Sequence, residues 1–384
     1  MKTPGAVHSG NFTYMGYSPT FNTANEDFIP FVMALQTALG VQKPIEVPGL
    51  GSYAARVEKA RKDKLRKGVI LPIYVKDSSN GGIGYDADKL HDNLVRIKES
   101  GANWVSLLQL FYQTFNDSSE VFAHKDYTPS FESLKNIVQD AHDIGLNVML
   151  KADVNILPNN RKTGEWSGTI LPEDPINWWR TYTNLILEMA EFSKKYEVEM
   201  LEIGLELSNM EVRYEKEWRQ LIKEVRKKYS GLVTYQSNYD VFFNVPWAGD
   251  LDVFGIAAYF ELTDHYGPTV SELVEGWKEP VNIMKKWVEK NPGVPFEFTE
   301  IGYASQPGAG KNPWAWSPSY DSKLDLEEQR NCFEALKTVV AKNDFITGVH
   351  MFASVPQEPD PTDMRYIIYG KPAQQVMEEI FKLR

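Results

Sequence analysis

Glu206 and Glu300 each stand at the end of an apolar run. The first lies in VEMLEIGLEL (198–207) and the second closes VPFEFTE (294–300). A carboxylate beside buried aliphatic and aromatic residues is costly unless it is paired or put to use. Two such acids meeting at one site have a definite chemistry. Held ~5–5.5 Å apart, they suit double-displacement cleavage of a glycosidic bond, one as nucleophile and the other as acid/base. Their surroundings must then keep one protonated and the other ionised near neutral pH. Glu202 and Glu297 lie deeper in the same runs, and Glu261 lies just past another; all three are weaker candidates. Tyr259 ends a neighbouring run and is placed to donate a hydrogen bond to Glu300.

For acids so distant in sequence to meet, the fold must gather the ends of several strands. Strands are predicted at 69–75, 103–110, 146–154, 198–207, 232–238, 251–260, 294–300 and 346–355. Amphipathic helices separate them. One carries Leu90, Leu94 and Ile97 on a single face, and another carries Trp218, Leu221, Ile222 and Val225. Asp325 and Glu328 have the spacing of a capping box, and Pro372 suits the first turn of the last helix. The alternation predicts a (β/α)8 TIM barrel, in which chemistry sits at the C-terminal strand ends. An open doubly wound sheet would need a glycine-rich phosphate loop after its first strand, and GVILPIYVKDSSNGG places its glycines too late. GAGKN (308–312) has neither the spacing nor the Ser/Thr of a phosphate loop.

The eight strand ends supply Lys76-Asp77, Tyr112-Gln113, Lys151 with Asp153, Glu206, Asn238, Tyr259, Glu300, and Phe352 with Ser354. Strands four and seven place Glu206 and Glu300 across the mouth from one another. Lys151, Asp153 and Asn238 are candidate partners for sugar hydroxyls. Residues 1–65 are expected to form an extension packed on a barrel spanning 66–384. Segments 25–40 and 49–68, the latter carrying the basic run 57–67, read as helices.

Net charge of −11 disfavours a nucleic acid or an anionic membrane as the main partner. Cys332 is the only cysteine, so no internal disulfide forms. No apolar stretch reaches membrane-spanning length. The N-terminus lacks the apolar segment of a secretory signal, so the chain reads as intracellular or as the mature part of a secreted protein. Six scattered histidines give no metal-ligand spacing, and no cofactor is expected. Aromatic residues are 12% of the chain, which suits either a bulky core or a cleft that stacks on sugar rings.

Several segments carry a more specific likeness: NVMLKADV, Trp166-Ser-Gly with PINWWRTY after it, EIGLEL, DVFGIAAYF, and PFEFTEIGYAS followed by PWAW. Over roughly 68–355 the chain resembles the retaining glycoside hydrolases of clan A, and most of all glycoside hydrolase family 113, whose known members are β-1,4-mannanases. The resemblance implies Glu206 as acid/base, Glu300 as nucleophile and Tyr259 as the tyrosine contacting the nucleophile. It implies an oligosaccharide or polysaccharide substrate, cut by a metal-independent double displacement. Trp166, Trp314 and Trp316 in the loops, with Glu261 and Phe352, are the further candidates for sugar contacts. Leu205 stands where most clan members have Asn, Lys151-Ala152-Asp153 replaces a Lys-Pro-His type pattern, and Phe352 stands near a usual tryptophan. These departures fall in the substrate-contacting shell. A β-glycosidase of other specificity, or a sugar-binding barrel without catalysis, is the alternative reading. The sequence does not encode an oligomeric state in any legible way.

Overall fold

A computed structural model describes residues 7–9, 12–14, 50–72, 87–315, 323–352 and 360–384. The chain divides into two compact units, Met1–Glu58 and Lys59–Arg384. In the first, β1 (Val7–Ser9) pairs antiparallel with β2 (Phe12–Tyr14). Helix α1 (Leu50–Lys62) begins in the first unit and ends in the second; it takes the basic run and gathers Lys59, Arg61 and Lys62 in its last turn, where cations favour the helix dipole. The helix expected at 25–40, Lys76-Asp77, Ser354 and Trp316 lie outside the described residues.

In the second unit eight parallel strands close a barrel. They are β3 (Arg66–Leu71), β4 (Trp104–Gln113), β5 (Asn147–Ile156), β6 (Met200–Leu205), β7 (Leu232–Asn238), β8 (Val253–Ala257), β9 (Phe296–Ile301) and β10 (Ile346–Met351). The helices are α2 (Ala87–Glu99), α3 (Phe131–Asp143), α4 (Pro175–Lys195), α5 (Ser208–Arg213), α6 (Glu215–Lys228), α7 (Val270–Gly276), α8 (Lys278–Lys290), α9 (Leu326–Lys342) and α10 (Pro372–Phe381). All eight strands overlap the predicted runs, with β3 starting three residues early and β4 running three residues past its predicted end, and β10 closes the ring by pairing with β3.

Helix starts follow local chemistry. Asp174 caps α4 through Ile176 and Asn177, with Pro175 in the first turn, and Thr269 with Glu272 forms a full capping box on α7. At α9 only half of the expected box forms. Asp325 accepts from the Glu328 N–H, but the Glu328 carboxylate turns away to accept from the backbone N–H groups of Gly267, Gly308 and Gly310. It anchors the loop that follows β9.

The barrel interior is charged in layers. At its base Arg66 pairs with Glu297, while His350 lies 3.7 Å from Glu297 and 2.9 Å from Ser106 Oγ. Gly68 and Gly348 make room: a Cβ on Gly68 would come within 2.0 Å of the His350 ring, and one on Gly348 within 2.4 Å of Glu297. Because Arg66 points into this layer, β3 begins at Arg66, earlier than hydropathy suggests. Outside the sheet, Trp178, Trp179, Tyr182, Trp218, Tyr235 and Trp247 pack between β6, β7 and their helices; Trp218 and Trp247 stack at 4.7 Å. Much of the aromatic content is therefore core.

Two register irregularities matter for function. β6 shifts against β7 between Glu202 and Leu205, and β9 shifts against β8 so that Ile256 faces Phe298 while Ala257 faces Glu300. Such bulges re-aim side chains at barrel rims.

Candidate active site

β6 stops at Leu205, and Glu206 follows with φ +48°, a left-handed conformation that costs a residue with a Cβ on the order of 1 kcal/mol. Neighbouring hydrogen bonds hold it there. The Glu206 N–H donates to the Gln236 carbonyl at 2.8 Å, the Ser208 N–H donates to the Glu206 carbonyl at 2.9 Å, and the Leu207 N–H donates to the Tyr235 hydroxyl at 3.0 Å. The short helix α5 starts at once. The turn lifts the Glu206 side chain to the mouth, where it is only partly buried.

On β9 the bulge breaks the alternation. Thr299 lies against Gly255, yet Glu300, the next residue, also reaches the mouth. Tyr259 donates to Glu300 Oε1 at 2.9 Å and Gln236 Nε2 donates to Oε2 at 3.1 Å. Both carboxylate oxygens are thus fixed, one by a donor from β7 and one by a donor just past the end of β8, and Glu300 too remains partly open.

Openness separates the acids. Glu202, Glu211 and Glu297 are fully buried, whereas Glu206, Glu300 and Asp153 are partly exposed. Burial, reinforced by the charges of Glu300 and Asp153, pushes the Glu206 carboxyl well above the usual carboxylate range. Burial pushes Asp153 up to about 6, with Glu300 adding to the rise while Asn155 and Lys151 oppose it. Glu202, one layer down, is pushed up to about 7 by burial against the pull of Lys151.

Lys151, a candidate for sugar hydroxyls, is completely buried. Its ammonium donates to Glu202 at 3.0 Å, to Gln236 Oε1 at 2.7 Å and to the Thr299 carbonyl at 3.2 Å. Its three donors face protein beneath the mouth. Asn238 lies two positions beyond Gln236 on the same face of β7, and its side-chain oxygen accepts from the Tyr239 N–H at 2.8 Å. Phe352 is buried in the apolar cluster with Ile70, Leu205, Tyr259 and Tyr366, its ring 5.5 Å from that of Tyr366. Glu261 is exposed and accepts from Trp314 Nε1 at 3.2 Å, while the Trp314 ring is 52% exposed. Trp166 is half-buried and folds over Gly168, where a Cβ would meet its ring at 2.4 Å.

The structure therefore gathers Glu206, Glu300, Tyr259, Asp153 and Phe352, sets Lys151 beneath them, and leaves Trp314 with Glu261 in the loops beyond. Sequence reasoning missed Gln236 and Tyr366. Gln236 had one signal, a polar residue in LVTYQSN two positions before Asn238. Tyr366 had none. Its ring packs 6.1 Å from that of Tyr259, and its hydroxyl donates to the carbonyls of Pro313 and Ala315, on either side of Trp314.

A (β/α)8 barrel with partly open acids at its C-terminal mouth is a frame for cleaving sugars, and the comparisons with known proteins agree: this is a glycoside hydrolase, with a carbohydrate as its substrate. The chain belongs to Glycoside Hydrolase Family 113, whose sequence profile matches residues 77–371. Among solved structures, the chain is similar to a GH113 β-1,4-mannanase solved as a complex (24% identity, TM-score 0.72, 83% of this chain and 99% of that one). It is similar to the GH113 β-mannanase AaManA from Alicyclobacillus acidocaldarius in complex with ManMIm (24%, 0.71, 83% and 97%). A β-glucuronidase from Ruminococcus gnavus shares the fold more distantly (13%, 0.57, 83% and 49%). No curated protein matches the chain in sequence.

Proposed function

We propose that the protein is a retaining β-glycosidase, endo-β-1,4-mannanase-like, with Glu300 as nucleophile and Glu206 as acid/base. The observation that carries this reading is the unlike treatment of the two open acids. Burial and the Glu300 charge push the Glu206 carboxyl well above the usual carboxylate range, the direction a general acid requires. Glu300 instead receives two hydrogen bonds, from Tyr259 and Gln236, which orient its lone pairs toward the mouth and complement negative charge.

In the first step a Glu300 oxygen bonds to the anomeric carbon as the glycosidic C–O bond breaks, and Glu206 gives its proton to the departing oxygen. The product is a glycosyl ester on Glu300. In the second step Glu206 takes a proton from water, the water oxygen bonds to the same carbon, and the ester bond breaks. Two inversions leave the configuration retained. Asp153 is the neighbouring polar group for a hydroxyl of the reacting sugar, and the exposed Trp314 ring is a platform for a sugar further along the chain. The likeness to the GH113 β-mannanases supports a mannose-containing substrate.

The test is hydrolysis of glucomannan, galactomannan, β-glucan and xylan by wild type, Glu206→Ala and Glu300→Ala. Release of mannooligosaccharides by wild type with both variants nearly inactive is the expected result. Cleavage of only another glycan, with both variants inactive, keeps the mechanism and overturns the mannan specificity. Activity in Glu300→Ala equal to wild type overturns the reading as a whole.

A further inference from the structure

We propose that Gln236 is a positioning residue that couples the two acids, with its amide locked in one orientation by the buried Lys151. The inference rests on the assignment of Glu206 and Glu300 above.

Gln236 touches both acids through different groups. Its backbone carbonyl accepts from the Glu206 N–H at 2.8 Å and so helps hold the left-handed turn that presents Glu206. Its side-chain Nε2 donates to Glu300 Oε2 at 3.1 Å. A glutamine amide can be turned over, exchanging its oxygen and nitrogen, and the wrong orientation would set a carbonyl oxygen against the Glu300 carboxylate. Lys151 decides the matter. An ammonium has donors and no acceptor, so the group 2.7 Å from Lys151 Nζ must be Oε1. Nε2 is then forced toward Glu300.

Lys151 is itself immobilised. It is fully buried and also donates to Glu202 and to the Thr299 carbonyl, the residue before Glu300. A buried Lys–Glu pair is an expensive way to gain stability, since desolvation offsets the attraction. It is a good way to fix the orientation of a third group. Lys151 on β5, Glu202 on β6, Gln236 on β7 and Glu300 on β9 form one hydrogen-bonded chain running up to the mouth.

The test is the pH dependence of kcat/KM for Gln236→Glu, using the polysaccharide of the panel that wild type cleaves fastest. The substitution replaces the donor facing Glu300 with a second carboxyl group at nearly the same shape. Two carboxylates at hydrogen-bond distance do not both ionise readily. The acidic limb of the profile is expected to move up by at least one pH unit, with the alkaline limb moving less. An acidic limb within 0.3 unit of wild type, in a variant whose Tm and circular dichroism match wild type, overturns the inference. Where Gln236→Glu fails to fold, Gln236→Met gives the reading, since a flexible apolar chain of similar length fits a core site. Its kcat is expected to fall at least tenfold with KM within threefold; a kcat within twofold of wild type overturns the inference. Failure of the underlying assignment looks different, because then Glu300→Ala is active.

Discussion

Tyr259 donates its hydroxyl to Oε1 of Glu300 across 2.9 Å, and Tyr366 packs edge-on against the tyrosine ring. The phenol is thus held on two sides, by the carboxylate in front and an aromatic wall beside it. Tyr259→Phe removes only the donor. A hydrogen bond to a charged group is worth roughly 1.5–3 kcal/mol, so kcat is expected to fall about 10–100-fold. KM and Tm should change little. Steady-state kinetics with a melting curve decides it; a kcat within twofold of wild type would show that the contact does not serve the reaction.

The conformation of Glu206 predicts a conflict between stability and activity. Glu206→Gln keeps the left-handed turn and removes the proton donor, whereas Glu206→Gly also removes the backbone strain. Both should be inactive, and the glycine variant should melt higher than the glutamine variant, by a margin on the order of 1 kcal/mol. Equal melting temperatures would mean that the surrounding hydrogen bonds already absorb the strain.

Burial first and the charge of Glu300 second push the Glu206 carboxyl well above the usual carboxylate range. Glu300→Gln removes that second influence, so the Glu206 pKa should drop. In wild type, activity should be lost as rising pH deprotonates Glu206. Titration of Glu206 by carbon-13 NMR, in wild type and in Glu300→Gln, tests the coupling, and identical titration curves would refute it.

Most of the frame that positions these groups is written in the sequence. Runs of apolar β-branched residues alternating with 3.6-residue periodicity define the barrel, and an acid closing such a run is visible as an anomaly. The rest depends on register. The bulge before Glu300 cannot be read from hydropathy, because every residue of FEFTEI looks like strand. Lys151 looks like a rim residue in sequence and is buried because Glu202, three residues before Leu205 and facing inward, meets it. Tyr366 arrives from a loop whose sequence carries no periodic signal.

Glu211 predicts a pH-dependent stability of its own. It is fully buried behind β7, accepting from Ser237 Oγ at 2.9 Å, and burial pushes it up to about 7. A raised carboxyl binds its proton more tightly in the folded chain than in the unfolded one, where its value is 4.5. Stability from this group is therefore complete below pH 4.5 and falls as pH rises to about 7. The loss is at most about 3 kcal/mol, at 1.36 kcal/mol per unit. Glu211→Gln should leave Tm unchanged near pH 4 and raise it above wild type at pH 8. A constant difference across that range would contradict the prediction.

Trp314 is exposed and its indole N–H is tied to Glu261. Trp314→Ala should raise KM on a polysaccharide several-fold and leave the hydrolysis of a short aryl glycoside nearly unchanged. An equal effect on both substrates would place the ring at the reacting sugar.

The charged base of the barrel has a consequence for its connectivity. Arg66 opens β3 and Glu297 belongs to β9, with β10 between them, so their pair straddles the line where the ring of strands is sealed. Prising β10 away from β3 would part the buried Arg66 guanidinium from the buried Glu297 carboxylate. The seam where the barrel closes is thus riveted, and a circularly permuted chain should tolerate new ends in the loops of the opposite rim far better than a cut that lets this joint breathe.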